Sequence, residues 1–207
     1  TAYADNLVAT QASGTLASNY TISYTNGGLS IAKANATVTA NSSSVTYSGV
    51  NQSVAGFTAT GLVNGQTTAV LTGVSASGAN GTNAGTYTNT VTGTASNYNL
   101  TLVNGSLVIG KANATVTANS ANLTYSGLAQ SVSGFTATGL VNGETTAVLS
   151  SVTASGATGK NVGTYTNTVL GTDSNYNLTL VNGSLVIGKA NATVNALLTQ
   201  LGNFRLE

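Results

Sequence analysis

Tyrosine is the residue type of this chain best suited to contact a ligand, because its ring can stack on a sugar and its hydroxyl can form hydrogen bonds. Six tyrosines occur as two sets of three with the same spacing: Tyr47, Tyr87, Tyr98, Tyr125, Tyr165 and Tyr176. They alternate with Val and Leu, which is typical of rings in a sheet core with their hydroxyls at the rim. We predict the core role and keep ligand contact as a second hypothesis.

The chain lacks a suitable set of catalytic residues. The chain has no His and no Cys, and a serine nucleophile needs a base, usually His. Glu144 and Asp173 are the only carboxylates within the repeats described below, and the aligned positions hold Gln66 and Ala95. We therefore predict that the protein is not an enzyme and interpret both carboxylates as solvated surface charge.

Composition also argues against several classes of ligand. Calcium needs several carboxylates around one ion, and transition metals need His or Cys ligands, so we predict no metal and no cofactor. With a net charge of +1 the chain has no basic patch for phosphates, so we expect no nucleic-acid partner. No apolar run approaches the ~18 residues of a membrane span.

The chain is a tandem array. The segment KANATVTANS begins at Lys33 and returns at Lys111, and KANATV begins again at Lys189, each time after 78 residues. Residues 33–110 and 111–188 align without a gap and differ at 15 positions. We predict two full repeats over 33–110 and 111–188, flanked by the second half of a preceding repeat (1–32) and by the start of a further repeat or a C-terminal tail (189–207). Neighbouring repeats of the same chain are then the first expected partners, since a 78-residue unit without disulfides buries only a small core.

The differences between the two copies separate into two kinds. Val50 becomes Leu128, which is the exchange expected at a core position. Gln66 becomes Glu144, which is expected at an exposed position.

Alternation with period two predicts six or seven short strands in each repeat and almost no helix. The strand candidates of the first repeat are Ala36–Ala40, Val45–Tyr47, Val54–Ala59, Thr67–Val74, Gly85–Thr94, Asn97–Val103 and Ser106–Ile109. Asn104-Gly105 lies between two alternating runs and predicts a type I′ hairpin, as do Asn182-Gly183 and Asn26-Gly27. The connector 61–65 is a candidate for a single helical turn. No Gly/Ser-rich or Pro-rich spacer separates the repeats, which favours a stiff rod.

The fold we expect is all-β, with tandem small antiparallel β-sandwich or β-grasp-like modules stacked end to end. A parallel β-solenoid is the alternative, because Leu62-Val63-Asn64-Gly65 returns 40 residues later at Leu102–Gly105. Forty residues correspond to about two coils of a solenoid.

A set of short motifs resembles the MBG/YDG-type repeats of bacterial filamentous haemagglutinin-like surface adhesins. In chain order the motifs are Thr46-Tyr47-Ser48-Gly49, Gly56-Phe57, Gly61-Leu62, Gly85-Thr86-Tyr87, Asn97-Tyr98-Asn99 and Asn104-Gly105-Ser106-Leu107-Val108-Ile109. The resemblance covers both full repeats and the N-terminal half-repeat. It implies an extracellular adhesin, secreted or held at the surface of a Gram-negative bacterium, and it brings no catalytic residues.

Two functional hypotheses follow from the repeats and the resemblance. In the first, the repeats are a stiff stalk that projects an adhesive domain. In the second, the repeats themselves bind polysaccharide or other glycans, or associate with like adhesins in biofilm or cell–cell adhesion.

Overall fold

The computed structural model describes residues 2–7, 19–23 and 27–194, with the backbone alone for 2–7 and Gly27. The described residues form two compact units. The first contains 27–45, 51–81 and 85–109, together with the N-terminal residues, and the second contains 46–50, 82–84 and 110–194. The predicted turn residue Asn26 and residues 195–207 lie outside the described residues.

Each full repeat folds into ten short strands, more than the six or seven predicted. Ahead of them, β1 (Ala2–Leu7) pairs antiparallel with β2 (Gly27–Ser30). The first repeat contains β3 (Ala34–Ala40), β4 (Ser43–Thr46), β5 (Gln52–Val54), β6 (Phe57–Thr60), β7 (Val74–Ala76), β8 (Ala79–Gly81), β9 (Gly85–Asn89), β10 (Val91–Gly93), β11 (Tyr98–Val103) and β12 (Gly105–Gly110). The second contains β13 (Ala112–Ala118), β14 (Ala121–Thr124), β15 (Gln130–Val132), β16 (Phe135–Thr138), β17 (Thr153–Ala154), β18 (Ala157–Gly159), β19 (Gly163–Asn167), β20 (Val169–Leu170), β21 (Tyr176–Val181) and β22 (Gly183–Gly188).

The strands of a repeat form four small sheets. Two sheets have three strands, in the orders β11-β3-β6 and β4-β12-β9, and two are pairs, β5-β8 and β7-β10. Strand β3 runs parallel to β11 and antiparallel to β6, and β13, β21 and β16 repeat this arrangement in the second repeat. The all-β expectation is confirmed, with parallel pairs inside a mainly antiparallel fold. The solenoid alternative is wrong, because the described strands form separate small sheets and not successive coils.

The predicted Asn104-Gly105 hairpin is wrong. The strands on either side, β11 and β12, belong to different sheets, so the chain changes sheet at this dipeptide. The Asn104 side chain accepts a hydrogen bond from the Val91 backbone N–H at 3.0 Å. A Cβ on Gly105 would lie 2.4 Å from the Ala40 carbonyl oxygen, so glycine is required by close backbone approach. The second repeat is alike, with Asn182 bonded to Val169 and Gly183 against Ala118 and Asn119.

Three predicted strands are interrupted. Gly85–Thr94 divides at Thr90 into β9 and β10, which belong to different sheets. Val54–Ala59 divides at Gly56, which has a φ of +83° and separates β5 from β6. Thr67–Val74 instead begins with a 3-10 turn over Thr68–Val70, in which the Thr67 hydroxyl accepts a hydrogen bond from the Ala69 N–H. Residues with the right β-propensity are therefore folded by local hydrogen bonds into a turn.

Small hydrophobic cores lie in both repeats, one described for each. The core of the first repeat lies on β3 and β11 and includes Val38, Leu71, Val91 and Tyr98. The core of the second repeat lies on β22, the central strand of the sheet β14-β22-β19, where Leu185 and Ile187 are buried against Ala157. The alternation that predicted Leu107 and Ile109 on one face of their strand is confirmed, since both are buried.

Candidate functional site

A tight turn places the residues of the site. In the second unit, Asn142 and Gly143 have φ values of +52° and +70°, and the Glu144 N–H donates to the Val141 carbonyl at 2.9 Å. Two consecutive positive φ angles closed by an i to i+3 hydrogen bond are what a type I′ turn requires. The connector that we predicted to hold a helical turn is therefore the real Asn-Gly turn. It directs Glu144 toward the start of β21.

Glu144 accepts hydrogen bonds from two tyrosines, one on each carboxylate oxygen. The Tyr47 hydroxyl donates to Oε1 at 2.6 Å, and the Tyr176 hydroxyl donates to Oε2 at 2.5 Å. The Tyr176 oxygen also accepts from the Val141 N–H at 2.9 Å, which ties the ring to the turn. The two rings meet edge to face, with centroids 5.3 Å apart. We call Tyr47, Glu144 and Tyr176 the tyrosine–glutamate clamp.

The clamp changes the acidity of its tyrosines. The hydrogen bond to Glu144, helped by burial and by the negative charge of Glu144, raises the pKa of Tyr47 to about 12. Burial, followed by the hydrogen bond to Glu144, raises the pKa of Tyr176 above its ordinary value. Both hydroxyls are therefore protonated donors over the physiological range of pH.

The segment that carries Tyr47 also contacts the second unit at Gly49. The Gly49 carbonyl accepts from the Asn142 side chain at 3.4 Å, and a Cβ on Gly49 would lie 2.8 Å from the Asn142 Cβ. A second short segment is held in the same unit, where the Ala84 N–H donates to Asn175 Oδ1 at 2.9 Å. The interpretation of Glu144 as solvated surface charge is wrong, because its carboxylate is only partly exposed and both oxygens are engaged.

The first unit contains the same turn and one of the two tyrosine hydrogen bonds of the clamp. Asn64 and Gly65 have φ values of +53° and +68°, and the Tyr98 hydroxyl donates to Gln66 Oε1. The Tyr98 oxygen accepts from the Val63 N–H at 3.2 Å. No tyrosine of the described part of this unit takes the place that Tyr47 has beside Glu144. A groove of about 220 Å³ opens there, lined by Lys33, Val63, Gln66, Asn97 and Tyr98 among others.

The six predicted tyrosines fall into three groups. Tyr47, Tyr98 and Tyr176 are buried in the clamps, as the core hypothesis requires. The Tyr87 and Tyr165 rings lie over Gly81 and Gly159, where any Cβ would collide with them. Tyr125 is 40% exposed and is the most accessible of the six, so the core role predicted for it is wrong. The core position predicted from the exchange of Val50 for Leu128 is wrong as well, since these side chains are 50% and 72% exposed. Ligand contact by any of the six tyrosines stays a prediction.

The fold and the clamp define an all-β, tandem-repeat protein whose compact units include segments from a neighbouring repeat. A family model for the MBG domain (YGX type) matches residues 36–108 and 114–186, inside the two predicted repeats. The chain belongs to the MBG domain family, and the predicted resemblance is confirmed. MBG repeats occur in extracellular, adhesin-like proteins. Comparisons with curated proteins and with solved structures found no match.

Proposed function

We propose that these repeats are the stiff stalk of a large adhesin and hold an adhesive domain away from the surface of a Gram-negative bacterium. The role is mechanical and not enzymatic. Family membership supports an extracellular, adhesin-like protein. No helix of the described residues is long and apolar enough to cross a membrane.

One observation carries the proposal: the second compact unit includes residues 46–50 and 82–84 of the first repeat. Tyr47 is 6% exposed because Glu144 and Tyr176 cover it. Bending the chain at this place would expose the Tyr47 ring and leave a carboxylate oxygen without its donor, and both changes are unfavourable. A stiff rod needs a buried clamp of this kind in place of a flexible spacer.

Distance measurements between two spin labels test the stiffness. The chain has no cysteine, so Thr101→Cys and Thr179→Cys, both at exposed strand positions, give two unique labelling sites. We expect a narrow distance distribution, which Glu144→Ala broadens while Leu170→Ala leaves it unchanged. A broad distribution in the chain with an intact clamp would remove the stalk proposal.

Glycan binding by the repeats is the second candidate function, and the exposure of the Tyr125 ring is the observation that favours it. Extracellular polysaccharide is the ligand class that stacks on such a ring. Screening the chain and its Tyr125→Ala variant on a glycan array tests this candidate. Absence of binding, or equal binding by the variant, counts against it.

A further inference from the structure

One tripeptide of the repeats, Val-Asn-Gly, occurs in two different structural environments. Its four asparagines are Asn64, Asn104, Asn142 and Asn182. An asparagine followed by glycine can react with its own backbone, because the glycine nitrogen lies next to the side-chain amide and no Cβ hinders its approach. Since the local sequence is the same at all four positions, the fold decides which of them react.

Two of the four tripeptides are held at the junction of two strands. The Asn104 side chain accepts a backbone hydrogen bond at 3.0 Å, and Gly105 is buried at the start of β12. Asn182-Gly183 has the same hydrogen bond and the same burial. Reaction at either position requires local opening of the structure.

The other two tripeptides lie in exposed type I′ turns. Both residues of Asn64-Gly65 and of Asn142-Gly143 are exposed. The hydrogen bond that closes the turn comes from the residue after the glycine, so the glycine N–H makes no hydrogen bond with the described residues. A Cβ built on either glycine meets no atom within 4 Å. The attacking nitrogen is therefore unpaired and open to solvent.

The side chain of Asn142 is held only loosely. Among the described residues its one hydrogen bond runs from Nδ2 to the Gly49 carbonyl at 3.4 Å, which is longer than a typical N–H···O bond. The side chain can therefore rotate until its Cγ faces the Gly143 nitrogen. Asn104, whose side chain receives a 3.0 Å bond from the backbone, lacks this freedom.

We propose that Asn142 is a site of spontaneous deamidation and that Asn64 is a second site in the same kind of turn. The Gly143 nitrogen attacks Cγ of Asn142, the N–Cγ bond forms and the Cγ–Nδ2 bond breaks. Ammonia leaves with the proton of the glycine N–H, and a cyclic imide remains. Water, the co-reactant, then opens the imide at either carbonyl and leaves aspartate or isoaspartate at position 142.

Both products weaken the contact between Asn142 and Gly49. A carboxylate has no N–H to donate, so an acceptor then faces the Gly49 carbonyl, and a new negative charge lies two residues before Glu144. Isoaspartate also adds one carbon to the backbone of the turn that directs Glu144 to Tyr47. A loss of stiffness from this reaction rests on the proposed stalk function, whereas the reaction itself does not.

Incubation of the whole 207-residue chain at mildly alkaline pH tests the proposal. Chymotryptic peptide mapping by mass spectrometry follows the conversion of amide to acid at each asparagine. We expect Asn64 and Asn142 to react roughly tenfold faster than Asn104 and Asn182 or more, which corresponds to an opening free energy of about 1.4 kcal/mol or more at the protected pair. In urea the four sites react at similar rates, because only the fold distinguishes them.

Two variants complete the test. Asn142→Gln abolishes the reaction at that position and leaves the rate at Asn64 unchanged, because the longer side chain closes a less favourable ring. Asn142→Asp reproduces one product and lowers the urea midpoint of unfolding. No reaction at Asn142, equal rates at the four sites of the folded chain, or a rate difference that persists in urea would overturn the proposed site.

An unchanged midpoint for Asn142→Asp would overturn the effect on the clamp. None of these results bears on the stalk proposal, which rests on Tyr47 and Glu144.

Discussion

At the scale of single residues, the carboxylate of Glu144 explains why one tyrosine–glutamate clamp holds two rings. A carboxylate has two acceptor oxygens, and here each takes one tyrosine hydroxyl. The amide of Gln66 has one acceptor oxygen and already takes the Tyr98 hydroxyl. A single difference between the repeats therefore changes a neutral acceptor into a charged one, which forms stronger hydrogen bonds.

Glu144→Ala is expected to lower the free energy of unfolding by about 2 kcal/mol, because two tyrosine hydroxyls lose a charged acceptor in a partly buried site. Urea unfolding followed by tyrosine fluorescence and circular dichroism measures the change. Gln66→Ala is the matched control and removes one neutral acceptor, so its cost is expected to be about 1 kcal/mol or less. Equal costs for the two variants would contradict the assignment of the stronger contact to Glu144.

The raised pKa of Tyr47 predicts how stability depends on alkaline pH. An unfolded tyrosine ionises near pH 10, whereas folded Tyr47 ionises at about 12, so folding favours the protonated form. Its stabilising contribution is complete below pH 10 and is lost as the pH rises from 10 to 12. Tyr47→Phe removes this dependence, because phenylalanine has no proton to lose.

Urea unfolding at a series of pH values between 8 and 12 compares the two chains. The other eight of the nine tyrosines are common to both, so the difference in slope isolates Tyr47. A variant curve parallel to that of the unchanged chain would show that the hydroxyl is not bonded as described.

At the scale of elements, a buried asparagine joins the turns of each repeat. Asn167 at the end of β19 is 0% exposed. Its Nδ2 group donates to the Asn119 and Gly134 carbonyls at 3.0 and 3.3 Å, and its Oδ1 accepts from the Gly156 N–H at 2.9 Å. Asn89 makes the same three bonds in the first repeat. The residue thus joins backbone groups of three loops through one buried side chain.

Asn167→Ala is expected to destabilise the second unit by about 3 kcal/mol, because it removes three hydrogen bonds at a fully buried position and leaves a cavity there. Asn177→Ala on the adjoining strand is the control, since Asn177 is exposed and its change is expected to stay within about 0.5 kcal/mol. Thermal and urea unfolding of both variants measure the difference. A loss of the same size in both would show that the buried hydrogen bonds contribute little.

Sequence patterns located strands better than they located strand partners. Alternation identified the inward face of β12 through Leu107 and Ile109, because the period of a strand is a local property. It did not reveal the parallel pairing of β3 with β11, whose paired residues Ala34 and Tyr98 are far apart in the chain. Pairing depends on which distant residues meet, and one sequence does not encode that in its period.

The Asn-Gly dipeptides of the first repeat differ in whether they form a type I′ turn. Both Asn64-Gly65 and Asn104-Gly105 match the type I′ pattern, but only the first has positive φ angles. Gly105 is glycine because neighbouring backbone lies where a Cβ would be. The hydrophobic alternation on both sides of Asn104 favoured a hairpin, whereas tertiary contacts decided the outcome.

The sequence predicted only part of the tyrosine–glutamate clamp. Recurrence and alternation indicated that Tyr47, Tyr98 and Tyr176 are core residues, which their burial confirms. Nothing local indicated that Glu144 meets Tyr47, because 97 positions separate them. The usable signal was the exchange of Gln66 for Glu144 in a turn that is otherwise unchanged.

At the scale of the whole molecule, the stalk proposal predicts how length grows with the number of repeats. Each added 78-residue repeat is expected to lengthen the particle by roughly 30–40 Å, the extent of a compact unit of that size. Each new repeat supplies a Tyr47 counterpart to the clamp of the next, so length increases in proportion to repeat number. Small-angle X-ray scattering of chains with two, three and four full repeats gives the maximum dimension. Growth with the square root of repeat number is the behaviour of flexibly linked modules and would contradict a stiff stalk. In the same series with Glu144→Ala in every clamp, we expect the growth of length to shift from proportional to repeat number toward the square root of repeat number.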